Sequence, residues 1–234
     1  MNTSKSNVFV ESVLRLKPSL AVFDCDGTLW AGDAGEGFFS WELDRGIVSK
    51  ELAAWARPRY ADYRAGKVDE DTMCGEMVTM HRGLRESDVL RAATEYFDGS
   101  FVKNIFPEMR DLIRRLQDAH CDVWAVSSTN EWVIRMAMKH FGIPDNKILA
   151  AAVRIDNGVI TDQLIRVPSG QGKPQAIREV IQKIPDAAFG NSRWDAEMLE
   201  LAKNGFAVNP NPDLEKTAGS KGWTVYWPDG TSSK

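Results

Sequence analysis

Hydrophobic and polar positions divide the chain into two textures. Leu20 to Phe23 is a short apolar run that ends at Asp24 and is followed by the turn pair Asp26-Gly27. An unalternated run of that length suits a parallel strand buried on both faces. From Ala31 to Ile105 the spacing is helical only. Val48, Leu52 and Trp55, then Met73, Met77 and Met80, then Leu90, Ala93 and Phe97 recur at intervals of three and four. Gly32, Gly35 and Gly37 stand at the start of this block, where a hinge and a plain loop are equally open readings.

After Phe106, helices and strands alternate. Pro107 opens a helix whose apolar face is Met109, Leu112, Ile113 and Leu116. Asp122 to Val126 is predicted as a strand, and Ser127-Ser128-Thr129-Asn130 supplies N-cap chemistry for a helix carrying Ile134, Met138 and Phe141. Ile148 to Ile165 reads as a hairpin turned by Asp156-Asn157-Gly158. A helix with Pro174 near its start is expected to turn Ile177, Val180, Ile181 and Ile184 inward. Ala187 to Phe189, Phe206 to Val208 and Trp223 to Tyr226 are further short strands. The pattern predicts an α/β fold with a doubly wound, mostly parallel sheet. Residues 1–30 and 106–234 form its core, and 31–105 is an all-helical insertion after the first strand.

Composition narrows the function. The 234 residues are 43% hydrophobic and 26% charged, enough for a core without covalent staples. A net charge of −4 with no basic block disfavours nucleic acid as a partner. The longest apolar run, Ile148 to Val153, is too short for a membrane helix. A polar stretch from Met1 to Val10 and three scattered cysteines (Cys25, Cys74, Cys121) without a CxxC pair lead us to expect a cytoplasmic protein.

In doubly wound sheets, ligands bind beyond the carboxyl ends of the strands. Asp24-Cys25-Asp26-Gly27-Thr28 follows the first strand, Ser127-Ser128 the second, and Gly190-Asn191-Ser192-Arg193-Trp194-Asp195 the strand at 187–189. Lys173 closes a Ser169-Gly170-Gln171-Gly172 loop just before a helix. Carboxylates, an amide, hydroxyls and a lysine suit a hard cation with oxygen ligands and a phosphate. The lysine loop is not a P-loop: Val167 stands where the upstream glycine belongs, and Pro174 replaces the hydroxyl residue. His81, His120 and His140 share no metal-ligand spacing, which disfavours zinc.

The order Asp-x-Asp-Gly-Thr, Ser, Gly-Lys, Gly-x-Ser-x-x-Asp resembles the haloacid dehalogenase superfamily of phosphatases over nearly the whole chain. The insertion resembles that superfamily's helical C1 cap. The 156–161 stretch Asp-Asn-Gly-Val-Ile-Thr, and the tail from Val208-Asn209-Pro210 to Gly222-Trp223, resemble the phosphoserine-phosphatase-like branch. The resemblance implies that Asp24 is the nucleophile of an aspartyl-phosphate mechanism and that Asp26 is its general acid and base. It implies phosphate binding by Ser127, Ser128 and Lys173, with the serines at a helix N-terminus. Mg²⁺ is expected on Asp24, Asp26, Asn191 and Asp195. Here the chain departs from the superfamily, which usually has Gly-Asp where this chain has Gly190-Asn191. The amide brings one negative charge less, and Asp195 could restore part of it, directly or through water. Each residue also has a plainer reading: Asp24 and Asp26 as turn formers, Ser127 as a cap, Lys173 as a solvated surface group.

The implied activity is Mg²⁺-dependent hydrolysis of a small phosphorylated metabolite. Phosphotransfer of the mutase type and a non-catalytic phosphometabolite-binding module are the alternatives. Asp33, nine residues after Asp24, matches an acidic position that in this branch faces the substrate's amine. Trp30 is expected near the entrance, offering its ring face to a cation, while Trp41 and Trp55 are expected to fill the insertion's own core. These residues point to an ester such as phosphoserine, phosphoethanolamine or phosphocholine. No oligomeric state follows from the sequence.

Overall fold

The computed structural model describes residues 4–231. Its centre is a seven-stranded sheet in the order β4-β3-β2-β1-β5-β6-β7. The strands are β1 (Leu20–Phe23), β2 (Asp122–Asn130), β3 (Ile148–Asp156), β4 (Val159–Arg166), β5 (Ala187–Gly190), β6 (Asn204–Val208) and β7 (Thr224–Tyr226). All neighbouring pairs are parallel except β3 with β4, the hairpin, whose turn places Asn157 and Gly158 at positive φ. From β1 the chain winds outward through β2 to β4, then returns and winds the other way through β5 to β7. The reversal puts a crevice at the carboxyl ends of β1, β2 and β5.

Helices α1 (Ser4–Arg15) and α6 (Pro107–Asp118) pack together, and their apolar residues join one face of the sheet. The sequence reading passed over α1, although Phe9, Val10 and Val13 are buried at helical spacing. α7 (Glu131–Lys139) buries Val133, Ile134 and Met138 in the same core. The opposite face holds α8 (Gly172–Ala176), α9 (Ala196–Leu201) and α10 (Pro212–Lys221). The helix after Lys173 is shorter than its pattern suggested. It widens into a π-turn over Ile177–Ile181 and ends at Gln182 in the left-handed region, so only Ile177 is buried, while Val180 and Ile184 are exposed.

Between β1 and α6 the chain is helical, with α2 (Ala34–Arg45), α3 (Lys50–Arg64), α4 (Glu70–Thr79) and α5 (Glu86–Tyr96). Phe39, Leu43, Val48, Ala56 and Met80 give these helices a small core of their own. Neither tryptophan expected there belongs to it: Trp55 is exposed, and Trp41 packs against the main core, stacked on Phe38 with the Arg45 guanidinium over its ring. Gly35 and Gly37 are neither hinge nor loop. They lie inside α2, where a Cβ on Gly37 would fall 1.9 Å from the Tyr96 hydroxyl and one on Gly35 2.6 Å from Thr129 Oγ1. The block is stitched to the β3–β4 hairpin through its backbone: Gly83 N–H donates to Ile160 O, Ile160 N–H to Leu84 O and Glu86 N–H to Gly158 O.

Candidate active site

A cavity of about 550 Å³ lies over the crevice, with the strand-end loops as its floor and α2, α3 and α4 as its opposite wall. Asp24, 6% exposed, sits on the floor where β1 ends, its backbone N–H still bonded to Phe189 of β5. Lys173 Nζ reaches across to donate to Asp24 Oδ1 at 2.6 Å, and Thr28 Oγ1 donates to Oδ2 at 2.8 Å. Burial, and then the charge of Asp195, raise the Asp24 carboxyl to about 6 against the pull of Lys173.

Lys173 is held by three oxygens: Asp24 Oδ1, the Val126 carbonyl at 3.0 Å and Asp195 Oδ1 at 2.6 Å. Burial would strip its proton, but the charges of Asp195 and Asp24 outweigh that and keep it an ammonium. Asp195 itself is 1% exposed. Its Oδ2 accepts from the backbone N–H groups of Asn191 and Ser192, both at 2.9 Å, and from Ser192 Oγ at 3.2 Å. Asp195 thereby fixes both Lys173 and the 191–192 loop. Gly190 is required beneath it, because a Cβ there would come within 2.4 Å of Asp195 Cβ.

Asp26 is half-buried and accepts from Trp30 Nε1 (2.8 Å) and Ala34 N–H at Oδ1, and from Thr129 Oγ1 (2.7 Å) at Oδ2. Burial, then the neighbouring Asp33 charge, push its carboxyl up to about 8 despite these donors. Its carboxylate is therefore tied to β2 and the start of α2. Trp30 departs from the sequence expectation. It is fully buried, edge-on to Phe97 and Phe101, and its only polar atom serves Asp26, so it offers no ring face to a substrate.

Ser127 and Ser128 both line the cavity. Neither begins a helix: β2 continues through them with a register shift, and Asn130 caps α7 by accepting from Val133 N–H. The buried Ser127 hydroxyl accepts from Thr129 N–H at 3.1 Å, so an amide of the same strand rather than a helix dipole assists it. Asn191 rests on the first loop, where a Cβ on Gly27 would lie 1.8 Å from its Nδ2. Asn209, which sequence reasoning passed over, braces that loop by donating from Nδ2 to Gly27 O at 2.9 Å. It follows the carboxyl end of β6, so the strand-end rule would have found it.

On the wall above, Asp33 is exposed to the cavity and caps α2 by accepting from Glu36 N–H at 2.8 Å. Glu36, Tyr63, Arg64 and Glu70 complete that wall, and Trp194 lies at its edge. No periodicity marks these residues in the sequence.

Residues 21–200 match the model of the haloacid dehalogenase-like hydrolases. The chain belongs to that family. This haloacid dehalogenase-like hydrolase is a phosphatase, and several of its relatives carry that name. It is 29% identical over 217 residues to a histidinol-phosphatase of Neisseria meningitidis, covering 88% of this chain and 97% of that protein. Identity to a phosphoserine phosphatase of Mycobacterium tuberculosis is 23%, over 88% of this chain and 69% of the relative. Among solved structures, a Bordetella pertussis protein of unknown function superposes with a TM-score of 0.78 at 20% identity, over 88% of this chain and 97% of its own. A substrate-bound phosphoserine phosphatase gives 0.58 at 16% identity, over 89% and 92%. These proteins share the fold.

Proposed function

We propose that this phosphatase hydrolyses a small amine-bearing phosphomonoester through an aspartyl-phosphate on Asp24, with Mg²⁺ as its cation. One observation carries the reading: the Asp24 carboxylate lies at the cavity floor, oriented by Thr28 and by an ammonium shared with Asp195. Asp24 attacks phosphorus in line, and the phosphoryl oxygens meet Lys173 and the Ser127 and Ser128 hydroxyls. Asp26, held between Thr129 and Trp30, gives a proton to the leaving alcohol oxygen and then takes one from the water that frees Asp24.

The donor set fits a magnesium ion. Asp24 and the Asn191 amide offer oxygens at the floor, and no group of three or more His, Cys, Asp or Glu among the described residues forms a metal cage. Mg²⁺ characteristically takes one or two carboxylates and completes its shell with water and substrate phosphate. When bound there it supplies charge neutralisation for the phosphoryl group. The helices over 34–96 act as a cap that closes the site from water, and Asp33 on its wall faces the substrate's amine. The names of the relatives, a histidinol-phosphatase and a phosphoserine phosphatase, support an amine-bearing ester.

Asp24→Asn tests the reading. The amide keeps the shape of the site, so the variant should retain its circular dichroism and melting temperature while losing turnover of p-nitrophenyl phosphate. Wild-type turnover should stop with a chelator and return with Mg²⁺. Retention of a tenth of the activity by the variant, a tenfold drop being about 1.4 kcal/mol of barrier, would remove Asp24 from the nucleophile's role.

A further inference from the structure

From the cavity wall we infer that the leaving group is an amino alcohol whose cation carries N–H donors and which bears no carboxylate, and that Glu70 determines this preference. The inference rests on the phosphomonoesterase reading and narrows it. A side pocket of about 40 Å³ opens beside the catalytic cavity. Asp33, Glu36, Glu70, Tyr60, Tyr63 and Met73 are among its lining residues. A pocket of that size takes one small head group, on the order of two or three waters' worth of space.

The lining decides which head group. Glu70 is fixed rather than solvated: the Tyr63 hydroxyl donates to its Oε2, and the Cys74 thiol lies 3.8 Å from its Oε1. Tyr63 in turn packs against Tyr60, with ring centroids 5.5 Å apart. A carboxylate held in place by a tyrosine hydroxyl can still accept hydrogen bonds from an ammonium or imidazolium and attracts its charge. A trimethylammonium group has no N–H to donate to that carboxylate, so it fits worse.

A carboxylate on the leaving group fits worse still. The only cation on this wall is Arg64, 4.0 Å from Glu36 and outnumbered by Asp33, Glu36 and Glu70. An amino acid ester would bring its negative charge against those carboxylates, and like-charge juxtaposition is strongly unfavourable in a partly desolvated site. The wall thus separates phosphoethanolamine-like and histidinol phosphate-like esters from phosphoserine.

The test compares kcat/KM of the full-length protein with Mg²⁺ for O-phosphoethanolamine, L-histidinol phosphate, O-phosphoserine and phosphocholine, with p-nitrophenyl phosphate as the generic ester. The two amino alcohol esters should exceed phosphoserine and phosphocholine by about tenfold or more. Glu70→Gln, which keeps the Tyr63 contact without the charge, should narrow that ratio to about threefold. Glu70→Lys should shift it toward phosphoserine. Calorimetric binding of the same esters to Asp24→Asn reads the preference without turnover, and Glu36→Gln gives a second wall variant. Equal or better use of phosphoserine, or a ratio unmoved by Glu70→Gln in a folded protein, overturns the inference. Failure of wild type on p-nitrophenyl phosphate and every other ester would instead overturn the phosphatase reading.

Discussion

Asn191 is where this chain differs from its family at the level of a single residue. Its amide sits on the Asp26-Gly27 turn, packed so closely that no side chain fits at Gly27. A neutral oxygen there leaves Lys173 and any bound cation with less opposing charge than a carboxylate would give. Asn191→Asp should therefore tighten Mg²⁺ binding, by about 0.5–2 kcal/mol if a charged ligand replaces a neutral one at a hydrogen-bond-like distance. Isothermal titration of Mg²⁺ into the two proteins reads this directly, and an unchanged affinity would place Asn191 outside the ion's contacts. Asp195 stands in contrast. The sequence puts both residues after the same strand, but burial and the capping of Ser192 turn one inward to Lys173 and leave the other facing the cavity.

At the scale of the element, α2 shows what a sequence pattern conceals. Gly35 and Gly37 look like loop residues because glycine weakens a helix by about 1 kcal/mol relative to alanine. Their use is close approach: the helix backbone lies against Thr129 of β2 and against Tyr96 of α5. Gly37→Ala should thus destabilise the protein despite its better helix propensity, by about 1–3 kcal/mol, because the methyl group must displace the Tyr96 hydroxyl. Chemical denaturation checks the sign. A stabilised variant would mean that α2 can slide on α5 without loss. The helix after Lys173 fails in the opposite direction. Its apolar residues at 180 and 184 promised a buried face, but the π-turn rotates them to solvent.

Across the whole molecule, backbone hydrogen bonds join the helical block to the β3–β4 hairpin, and a buried charge pair inside the block packs against α7. Glu42 of α2 and His81 beyond α4 meet at 2.7 Å, 1% and 0% exposed, with the Trp132 ring of α7 against the imidazole. Burial raises the Glu42 carboxyl against the pull of His81. For His81 burial alone would lower the imidazole, but Glu42 and the Val78 and Met77 carbonyls outweigh it and the net shift is upward. Both groups therefore bind protons more tightly folded than unfolded. Their contribution is full below their unfolded values and is lost as pH rises through the folded ones. As pH rises above the imidazole's ordinary value of about 6.5, the melting temperature of wild type should fall relative to that of a Glu42→Met/His81→Phe variant, whose apolar pair does not titrate. Parallel curves would show that the pair keeps its protonation as pH rises.

Apart from α1, the alternation of strands and helices is legible in the sequence, as are the polar segments that carry Asp24, Asp26, Ser127, Lys173 and Asn191. Those features are local: a buried parallel strand must be continuously apolar, and its carboxyl end must break into polar residues where the sheet opens. Tertiary structure alone decided the rest. Trp30 became a buried partner of Asp26, Asp195 became the counter-ion of Lys173, and Tyr63 and Glu70 came to face the catalytic floor. Each of these depends on which segments distant in the chain pack together, and hydrophobic periodicity encodes only that a face is buried, not what it is buried against.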